Sequence, residues 1–278
     1  MSDMAARFEW AEMLSPELLK SPWWIGHIPF AFELVGRLRP RVLVELGTYS
    51  GSSFAAFCQA AQACGANTRC YGVDLWEGDI HMGRFDEALF EEIHGYVSAR
   101  FPGIANLVRK HFNEAVKDFA DGSVDLLHID GTHTFEAVAN DFDTWLPKMS
   151  DRGVVLFHDV NVNEENTGPS SRKFGVRRFF DGVKARYPHF DFEHCWGLGV
   201  LVVGANAPRE VAELVEQSRD PAFAAYFAAK GAAVSQRYAD MNVPLPVHGA
   251  YVGAPIWKRA VNKAHRGLRR LAGMVRNP

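Results

Sequence analysis

Residues 41–53 are RVLVELGTYSGSS and contain the pattern that decides the fold. The run 41–46 is short and contains β-branched residues, which is typical of a buried strand. Glycines at positions 47 and 51 permit a tight turn at the start of the following helix. This stretch therefore predicts a strand, a glycine turn and a helix in immediate succession.

The same alternation continues along the chain. Further apolar strands are predicted at 69–74, 106–110, 124–130 and 153–160, and helices at 52–64, 82–101, 113–119, 134–148 and 174–186. Residues 190–194 and 199–204 predict a closing antiparallel pair. Strands that alternate with helices and are apolar throughout indicate a parallel sheet covered on both faces. We therefore predict an α/β fold with a Rossmann-like, mainly parallel seven-stranded sheet.

The regions outside this alternation differ in composition. Residues 161–172 are polar and predict a loop, 208–240 predict a helix, and the prolines of 241–255 predict a linker. We divide the chain into four parts on this basis. They are an aromatic-rich helical lid or cap (1–40), the α/β domain (41–205), a helical region with its linker (206–255) and a basic tail (256–278).

Composition excludes several classes of function. Of the 278 residues, 47% are hydrophobic and 23% are charged, which is ordinary for a globular protein. The net charge of −3 does not favour nucleic-acid binding. The four cysteines form no CxxC pair, which argues against zinc or thioredoxin-like chemistry and fits a reducing compartment. Since the sequence contains no signal-peptide pattern and no membrane-spanning run, we expect a cytoplasmic protein.

The charge is unevenly distributed. No acidic residue follows Asp240, whereas seven Lys and Arg residues lie between positions 258 and 276. Apolar residues recur every three or four positions over 256–275, so 256–276 predict a basic amphipathic helix. Such a helix suits an anionic membrane surface or an acidic partner, and it would place the protein peripherally at the inner membrane surface. The alternative is a terminal helix packed on its own domain or on a second copy in a homo-oligomer.

Ligands of open α/β sheets bind at the carboxyl ends of the strands. After the first strand, the dinucleotide fingerprint GxGxxG is absent because Tyr49 occupies the second glycine position, which disfavours NAD. The second strand ends at Asp74, whose carboxylate can accept both ribose hydroxyls of a nucleoside cofactor. Trp76 follows and is a candidate to flank the adenine, with a packed loop tryptophan as the alternative.

Two further strand ends carry carboxylates and imidazoles. The segment HIDGTH contains Asp130 and His133, and the segment FHDV contains His158 and Asp159. This cluster can hold a hard divalent cation through carboxylate oxygens, with His133 as a general base. In the alternative interpretation, Asp130 caps the following helix and His158 is hydrogen-bonded inside the core.

The segments ELGTYSGSS, GVDLWEGD, HIDGTHTFEAVANDFDTW and GVVLFHD together resemble class I S-adenosylmethionine-dependent methyltransferases. The resemblance is to the macrocin- and mycinamicin-type sugar O-methyltransferases and, more distantly, to catechol O-methyltransferase. It implies that S-adenosylmethionine is bound by Glu45, Gly47, Thr48, Tyr49, Gly51, Ser52, Asp74, Trp76 and Asp130. It also implies a magnesium site of Asp130, His158 and Asp159 and catalysis by His133 with Asp130. Related proteins carry Asp or Glu where this chain has His158.

Two aromatic segments carry a further resemblance. PWWIGHIPFAFELV (22–35) and HCWGLGVLVVG (194–204) resemble methyltransferase domains found with bacterial surface-glycan and O-antigen enzymes. This resemblance implies a sugar hydroxyl as the acceptor. We predict Trp24, His27 and His194 as acceptor-binding residues. The alternative is that the aromatic residues anchor the N-terminal helix and the histidines are structural.

The sequence therefore predicts an S-adenosylmethionine-dependent O-methyltransferase that acts on a hydroxyl of a sugar or glycan intermediate, assisted by a metal and a histidine base. Two alternatives are a catechol-like small-molecule O-methyltransferase and a non-catalytic S-adenosylmethionine-binding partner in a glycan-assembly complex. The intact set of Asp130, His133 and Asp159 argues against the non-catalytic alternative.

Overall fold

The computed structural model describes residues 5–79 and 83–242. The strands in this part of the chain are β1 Val42–Leu46, β2 Arg69–Asp74, β3 Gly78–Asp79, β4 Gly83–Arg84, β5 Ala105–Arg109, β6 Val124–Ile129, β7 Met149–His158, β8 His189–Phe192 and β9 Leu198–Val202. The α-helices are α1 Glu9–Met13, α2 Ile28–Leu38, α3 Ser52–Ala63, α4 Glu87–Arg100, α5 Phe112–Ala115, α6 Phe135–Trp145, α7 Glu164–Thr167, α8 Val176–Val183, α9 Arg209–Gln217 and α10 Pro221–Asp240. Short 3-10 turns lie at Ile25–His27, Val116–Asp118, Leu146–Lys148, Pro169–Lys173 and Lys184–Arg186.

Seven strands form one sheet in the order β5-β2-β1-β6-β7-β9-β8, and β3 pairs with β4 in a separate ribbon. The first five strands of the sheet are parallel, whereas β9 runs antiparallel to both β7 and β8. Leu46 of β1 pairs with Val73 of β2 and with Ile129 of β6, so these three strands finish at one edge. The predicted fold, a mainly parallel seven-stranded Rossmann-like sheet with a closing antiparallel pair, is confirmed.

Strand β1 is buried along its whole length because helices cover both faces of the sheet. Leu43 points into a core that contains Phe57 of α3, and Val44 points into the opposite core, which contains Trp145 of α6. The two faces alternate along the strand, as the pleat requires. Burial of each large apolar side chain contributes about 1.5–3 kcal/mol relative to exposure, so both layers stabilise the sheet.

The N-terminal residues and the last described helix pack together. Helix α10 contacts the turn Ile25–His27 and helix α2. Phe8 is fully buried, with its ring centroid 5.5 Å from that of Phe223. A Cβ at Gly231 would lie 2.1 Å from the carbonyl oxygen of Gly26, so the close approach of helix and turn requires glycine. The described residues of the N-terminal part (1–40) and of the C-terminal helical part (206–255) thus form one helical layer.

Three segments differ from the sequence predictions. Residues 161–172, predicted as a loop, contain α7, which Asn163 caps with its side chain. The helix predicted over 208–240 is interrupted, because Asp220 caps a new helix that begins with a proline. The helix predicted from position 82 begins only after Asp86, whose side chain accepts a backbone N–H of its first turn.

The linker predicted at 241–255 falls outside the described residues after Asn242, as does the whole basic segment 256–276, and both stay predictions. Over 5–79 and 83–242, the structure contains no helix with the combination of length and apolar content that a bilayer crossing needs.

Candidate active site

A cavity of about 490 Å³ lies at the edge where β2, β1, β6 and β7 end. Its volume is in the range of small-molecule sites, and its position is the one expected for ligands in this architecture. The predicted site residues that line it are Gly47, Tyr49, Asp74, Asp130, His133, His158 and Asp159. The sequence-predicted strand ends therefore do meet around one space.

The glycine turn after β1 brings the backbone close to the end of β6. Gly47 has a φ of +92°, and a Cβ there would lie 2.0 Å from the carbonyl oxygen of Asp130. The N–H of Gly47 donates to the carbonyl of Val73 (2.9 Å), and the N–H of Asp130 donates to that of Leu46 (2.8 Å). Only glycine fits this conformation and this space, so the turn fixes Asp130 at the cavity wall.

Asp74 organises the neighbouring corner. Its Oδ2 accepts the backbone N–H of Tyr49 (2.9 Å), and its Oδ1 accepts that of Trp76 (2.8 Å). Burial raises the pKa of Asp74, although these backbone hydrogen bonds favour the ionised form. Trp76 donates from Nε1 to the carbonyl of Tyr49 (2.9 Å) and is only 1% exposed. Asp74 thus lines the cavity, whereas Trp76 lies behind the wall, and its predicted place beside the adenine stays a prediction.

Two carboxylates and two imidazoles meet at the ends of β6 and β7. His133 Nε2 lies 2.9 Å from Asp159 Oδ2 and 3.4 Å from Asp130 Oδ1. His158 Nδ1 lies 3.2 Å from Asp130 Oδ1 and 3.4 Å from Asp159 Oδ1. Because each imidazole contacts both carboxylates, the four groups form one charged network.

Local structure holds His133 in this network. Thr134, and not Asp130, caps helix α6 by accepting the N–H of Ala137 (3.2 Å), so Asp130 is free of the alternative capping role. The ring of Phe174 stacks on His133 at 4.9 Å with an interplanar angle of 8°. Phe174 and the cap therefore fix the orientation of the imidazole at the start of α6.

Each charge in this network stabilises the ionised form of its neighbours. Burial alone would lower the pKa of His133, but the charge of Asp159 and the hydrogen bonds that His133 donates to both carboxylates raise it to about 10. The pKa of His158 is likewise raised against the effect of burial by Asp130 and Asp159. Burial would raise the pKa of Asp130, but the imidazoles hold it well below its usual range. Two imidazolium groups therefore neutralise two carboxylates in this arrangement.

The donor set of the cluster fits a divalent cation. Asp130, His133 and Asp159 each offer one ligand atom, and the three atoms lie within 4.8 Å of one another. Carboxylate oxygens are the ligands that Mg²⁺ prefers. The predicted third ligand, His158, is placed differently, because its Nε2 donates to the carbonyl of Cys195 (3.1 Å) while its Nδ1 faces Asp130. With both ring nitrogens engaged, His158 is placed to orient Asp130.

The residues predicted for acceptor binding lie one layer behind the cavity. Trp24 is buried, with its ring centroid 5.3 Å from that of Phe57. His27 is also buried, and its Nε2 donates to the same carbonyl of Cys195 (3.1 Å) that His158 uses. His194 packs on His27 with 4.6 Å between ring centroids. None of the three predicted side chains lines the wall. His27 and His194 instead connect the N-terminal segment to the β8–β9 hairpin.

Their sequence neighbours Trp23 and Trp196 line the cavity. The two indole centroids are 6.3 Å apart at an interplanar angle of 44°. Cys195 and Trp196 both have positive φ values, +48° and +71°. Because this backbone is not extended, successive side chains there do not alternate between two faces as they do in a strand. The aromatic motifs therefore point to the correct segments, but the backbone of the hairpin decides which residue reaches the wall.

Four residues of the predicted cofactor turn also lie outside the wall. Glu45 is fully buried and contacts His128 Nδ1 (3.0 Å), and burial raises its pKa. Thr48 is buried, and Gly51 has a φ of +77° at the start of α3. The Ser52 hydroxyl accepts two backbone N–H groups of the N-terminal segment (2.9 and 3.3 Å). These residues shape and anchor the turn, and their predicted contact with the cofactor stays a prediction.

The sequence analysis missed the part of the wall beyond β5. The additional lining residues there are Lys110, His111, Phe112 and Asn113 after β5, with Asn140 and Asp141 of α6. Lys110 ends the predicted strand 106–110 and the next three residues directly follow it, so the strand-end rule could have found these four. They carry no glycine pair and no carboxylate pair, which is why no motif drew attention to them.

Comparison with known proteins agrees with this geometry. Residues 44–160 match the family model of a methyltransferase domain. The uncharacterized protein y4gI of Sinorhizobium fredii is 40% identical to this chain over 197 residues, which are 71% of this chain and 21% of y4gI. This chain thus spans about a fifth of the length of that relative, as the 21% coverage shows.

Solved structures share the fold at low sequence identity. The S-adenosylhomocysteine-bound methyltransferase PaMTH1 of Podospora anserina is 15% identical, with a TM-score of 0.50 over 72% of this chain and 87% of its own. A candidate caffeoyl-CoA O-methyltransferase of Staphylococcus aureus is 14% identical, with a TM-score of 0.51 over 73% and 91%. The matched residues 44–160 contain the glycine turn, Asp74 and the carboxylate–imidazole cluster. Residues 44–160 therefore match a methyltransferase domain, and the chain shares the fold of these solved methyltransferases.

Proposed function

We propose that this chain is an S-adenosylmethionine-dependent O-methyltransferase that methylates a hydroxyl of a sugar or glycan intermediate. One observation carries the proposal: a single cavity joins Gly47 and Asp74 to the cluster of Asp130, His133 and Asp159. The cofactor is expected over β1 and β2, and the acceptor hydroxyl beside the cluster at β6 and β7. Such an arrangement would place a methyl donor next to groups that can accept a proton.

His133 is the residue we propose as the base. Sugar hydroxyls are weak acids, so a base that removes the proton during attack assists the transfer. While Asp130 and Asp159 both contact His133, its pKa of about 10 keeps it protonated at neutral pH. His133 can therefore accept a proton only after these carboxylates take another hydrogen-bond donor or positive partner.

Asp130 and Asp159 are the carboxylates that would hold a divalent cation, with His133 within reach of the same point. When bound, a cation supplies positive charge that lowers the pKa of an adjacent hydroxyl. Engagement of the carboxylates in this way would also remove the interaction that raises the pKa of His133. The cation and the base are thus compatible parts of one proposal.

The acceptor side of the wall supports a neutral ring with hydroxyl groups. Trp23 and Trp196 offer aromatic surface, and Thr132 and Thr167 offer hydroxyl groups. Among the described lining residues, Lys110 is the sole Lys or Arg, and it follows β5 on the side of the proposed cofactor. Pockets of this kind combine apolar surface with a few polar groups that orient the ligand.

Calorimetric titration with S-adenosylhomocysteine, followed by a methyl-transfer assay, tests the proposal. We expect binding of S-adenosylhomocysteine and methylation of simple methyl glycosides, with His133→Gln as a folded, inactive control. Activity on catechol alone would favour the catechol-like alternative. Cofactor binding without transfer to any acceptor would favour the non-catalytic alternative, and failure to bind S-adenosylhomocysteine would refute the proposal altogether.

A further inference from the structure

Asp141 is a buried carboxylate in the cavity wall that the proposed chemistry does not use. It lies on α6, is 5% exposed, and lines the cavity. Its Oδ1 accepts a hydrogen bond from Asn140 Nδ2 (3.3 Å), and its Oδ2 accepts none from the residues that the structure describes. Within the same described residues it has no ion pair.

A carboxylate in this position is unfavourable unless something donates to it. Burial of an ionised group without hydrogen bonds or a counter-charge carries a large desolvation penalty. Burial raises the pKa of Asp141 to about 6, so the group is still mostly ionised above that pH. Helix capping does not explain why a carboxylate is buried here, because Thr134 already caps α6. A donor supplied by a ligand would account for the residue.

The surroundings of Asp141 resemble a site for a planar, polar group. Asn140 Nδ2 also donates to Asn113 Oδ1 (2.9 Å), which ties α6 to the segment after β5. A Cβ at Gly131 would lie 2.5 Å from the ring of Phe112 and 3.6 Å from Oδ2 of Asp141. The aromatic ring and the carboxylate therefore flank the same glycine, and both line the cavity.

We propose that Asp141 recognises the exocyclic amino group of the adenine of S-adenosylmethionine, with Phe112 packed on the base. This inference rests on the proposed function, because it requires the cofactor in the cavity. The strand order supports it, since β2, which ends in Asp74, lies between β1 and β5. A base attached to a ribose at Asp74 then falls over the segment that begins with Lys110 and contains Phe112.

The hydrogen-bonding pattern of the adenine amino group distinguishes adenine from hypoxanthine. The amino group of adenine has two N–H donors, and an ionised carboxylate only accepts. Hypoxanthine carries a carbonyl oxygen at the same position and would present lone pairs to Asp141. The carboxylate therefore selects an adenine nucleoside over an inosine nucleoside.

The test compares S-adenosylhomocysteine with S-inosylhomocysteine by calorimetry at pH 8. The wild-type protein should bind S-inosylhomocysteine at least about tenfold more weakly, the scale of one charge-assisted hydrogen bond. Asp141→Asn should bind S-adenosylhomocysteine about tenfold more weakly and lose most of the discrimination, since its amide can donate to the inosine carbonyl. Asp143→Asn is the matched control, because Asp143 is exposed on the same helix and should keep the wild-type ratio.

The outcomes separate the two proposals. If the wild-type protein binds neither nucleoside, the proposed function is wrong. If it binds both equally well, or if Asp141→Asn keeps the full discrimination, the role of Asp141 is wrong and the proposed function stands. A further measurement needs only the wild-type protein, so it holds even if Asp141→Asn fails to fold. The N6-dimethyl analogue of S-adenosylhomocysteine has no N–H donor at this position and should bind about tenfold more weakly. Equal affinity for the two compounds would overturn the inference.

Discussion

Asp141 leads to a quantitative prediction about the protein without ligand. Its pKa in the folded protein is about 6, compared with about 3.9 for an aspartate in an unfolded chain. The folded state therefore binds this proton more tightly than the unfolded state does. The contribution of Asp141 to the free energy of unfolding is greatest below the unfolded pKa, falls as pH rises from about 4 to about 6, and stays at the lower level above that. The ionised carboxylate thus destabilises the ligand-free fold at neutral pH.

The size of this effect follows from the two pKa values. A difference of about two between them corresponds to roughly 3 kcal/mol. Because Asp141 is 5% exposed, solvent screens little of this penalty. Asp141→Asn keeps the shape of the side chain and the acceptor for Asn140 but cannot ionise. The variant should therefore be more stable than the wild-type protein at pH 8 by roughly 2–3 kcal/mol, and the difference should disappear near pH 4.

This difference is measured by unfolding the ligand-free wild-type protein and the Asp141→Asn variant in urea at several pH values between 4 and 8, with circular dichroism as the signal. Asp143→Asn should stay within about 0.5 kcal/mol of the wild-type protein at every pH, as is usual for an exposed position. A stability difference that does not change between pH 4 and pH 7 would refute the reasoning, as would a variant less stable than wild type at pH 8. Saturating S-adenosylhomocysteine should shift the balance back toward the wild-type protein, because it binds the ligand more tightly.

Three further predictions concern the chemistry and the walls of the cavity. His133→Gln should lower kcat by about 10²–10⁴-fold with cofactor affinity nearly unchanged, and wild-type turnover would remove His133 as the base. Gly47→Ala would place a methyl group 2.0 Å from the Asp130 carbonyl oxygen, so calorimetry should detect severe loss of S-adenosylhomocysteine binding; wild-type affinity would contradict the geometry of the turn. Trp196→Ala should raise KM for a glycoside acceptor by about 3–10-fold without weakening the cofactor, and an unchanged KM would exclude Trp196 from the acceptor site.

The sequence determined the parts of this protein that depend on local rules. The run 41–46 specifies a buried strand, and the glycine that ends it is the residue its backbone conformation and the nearby Asp130 carbonyl require. Carboxylates placed directly after apolar runs, such as Asp74 and Asp159, lie at the ligand-binding edge because parallel strands share the direction of their carboxyl ends. The fold and the position of the ligand-binding edge of the sheet therefore follow from residues that are neighbours in the chain.

The tertiary structure decided which side chains reach the cavity. Trp23 lines it and Trp24 does not, and Asp141 enters it from a helix that no motif marked. These outcomes depend on contacts between distant segments, such as the Cys195 carbonyl, which accepts from His158 and His27 at once. The rotation of a helix on a sheet and the path of an irregular hairpin are set by such packing, and the periodicity of the sequence does not contain that information.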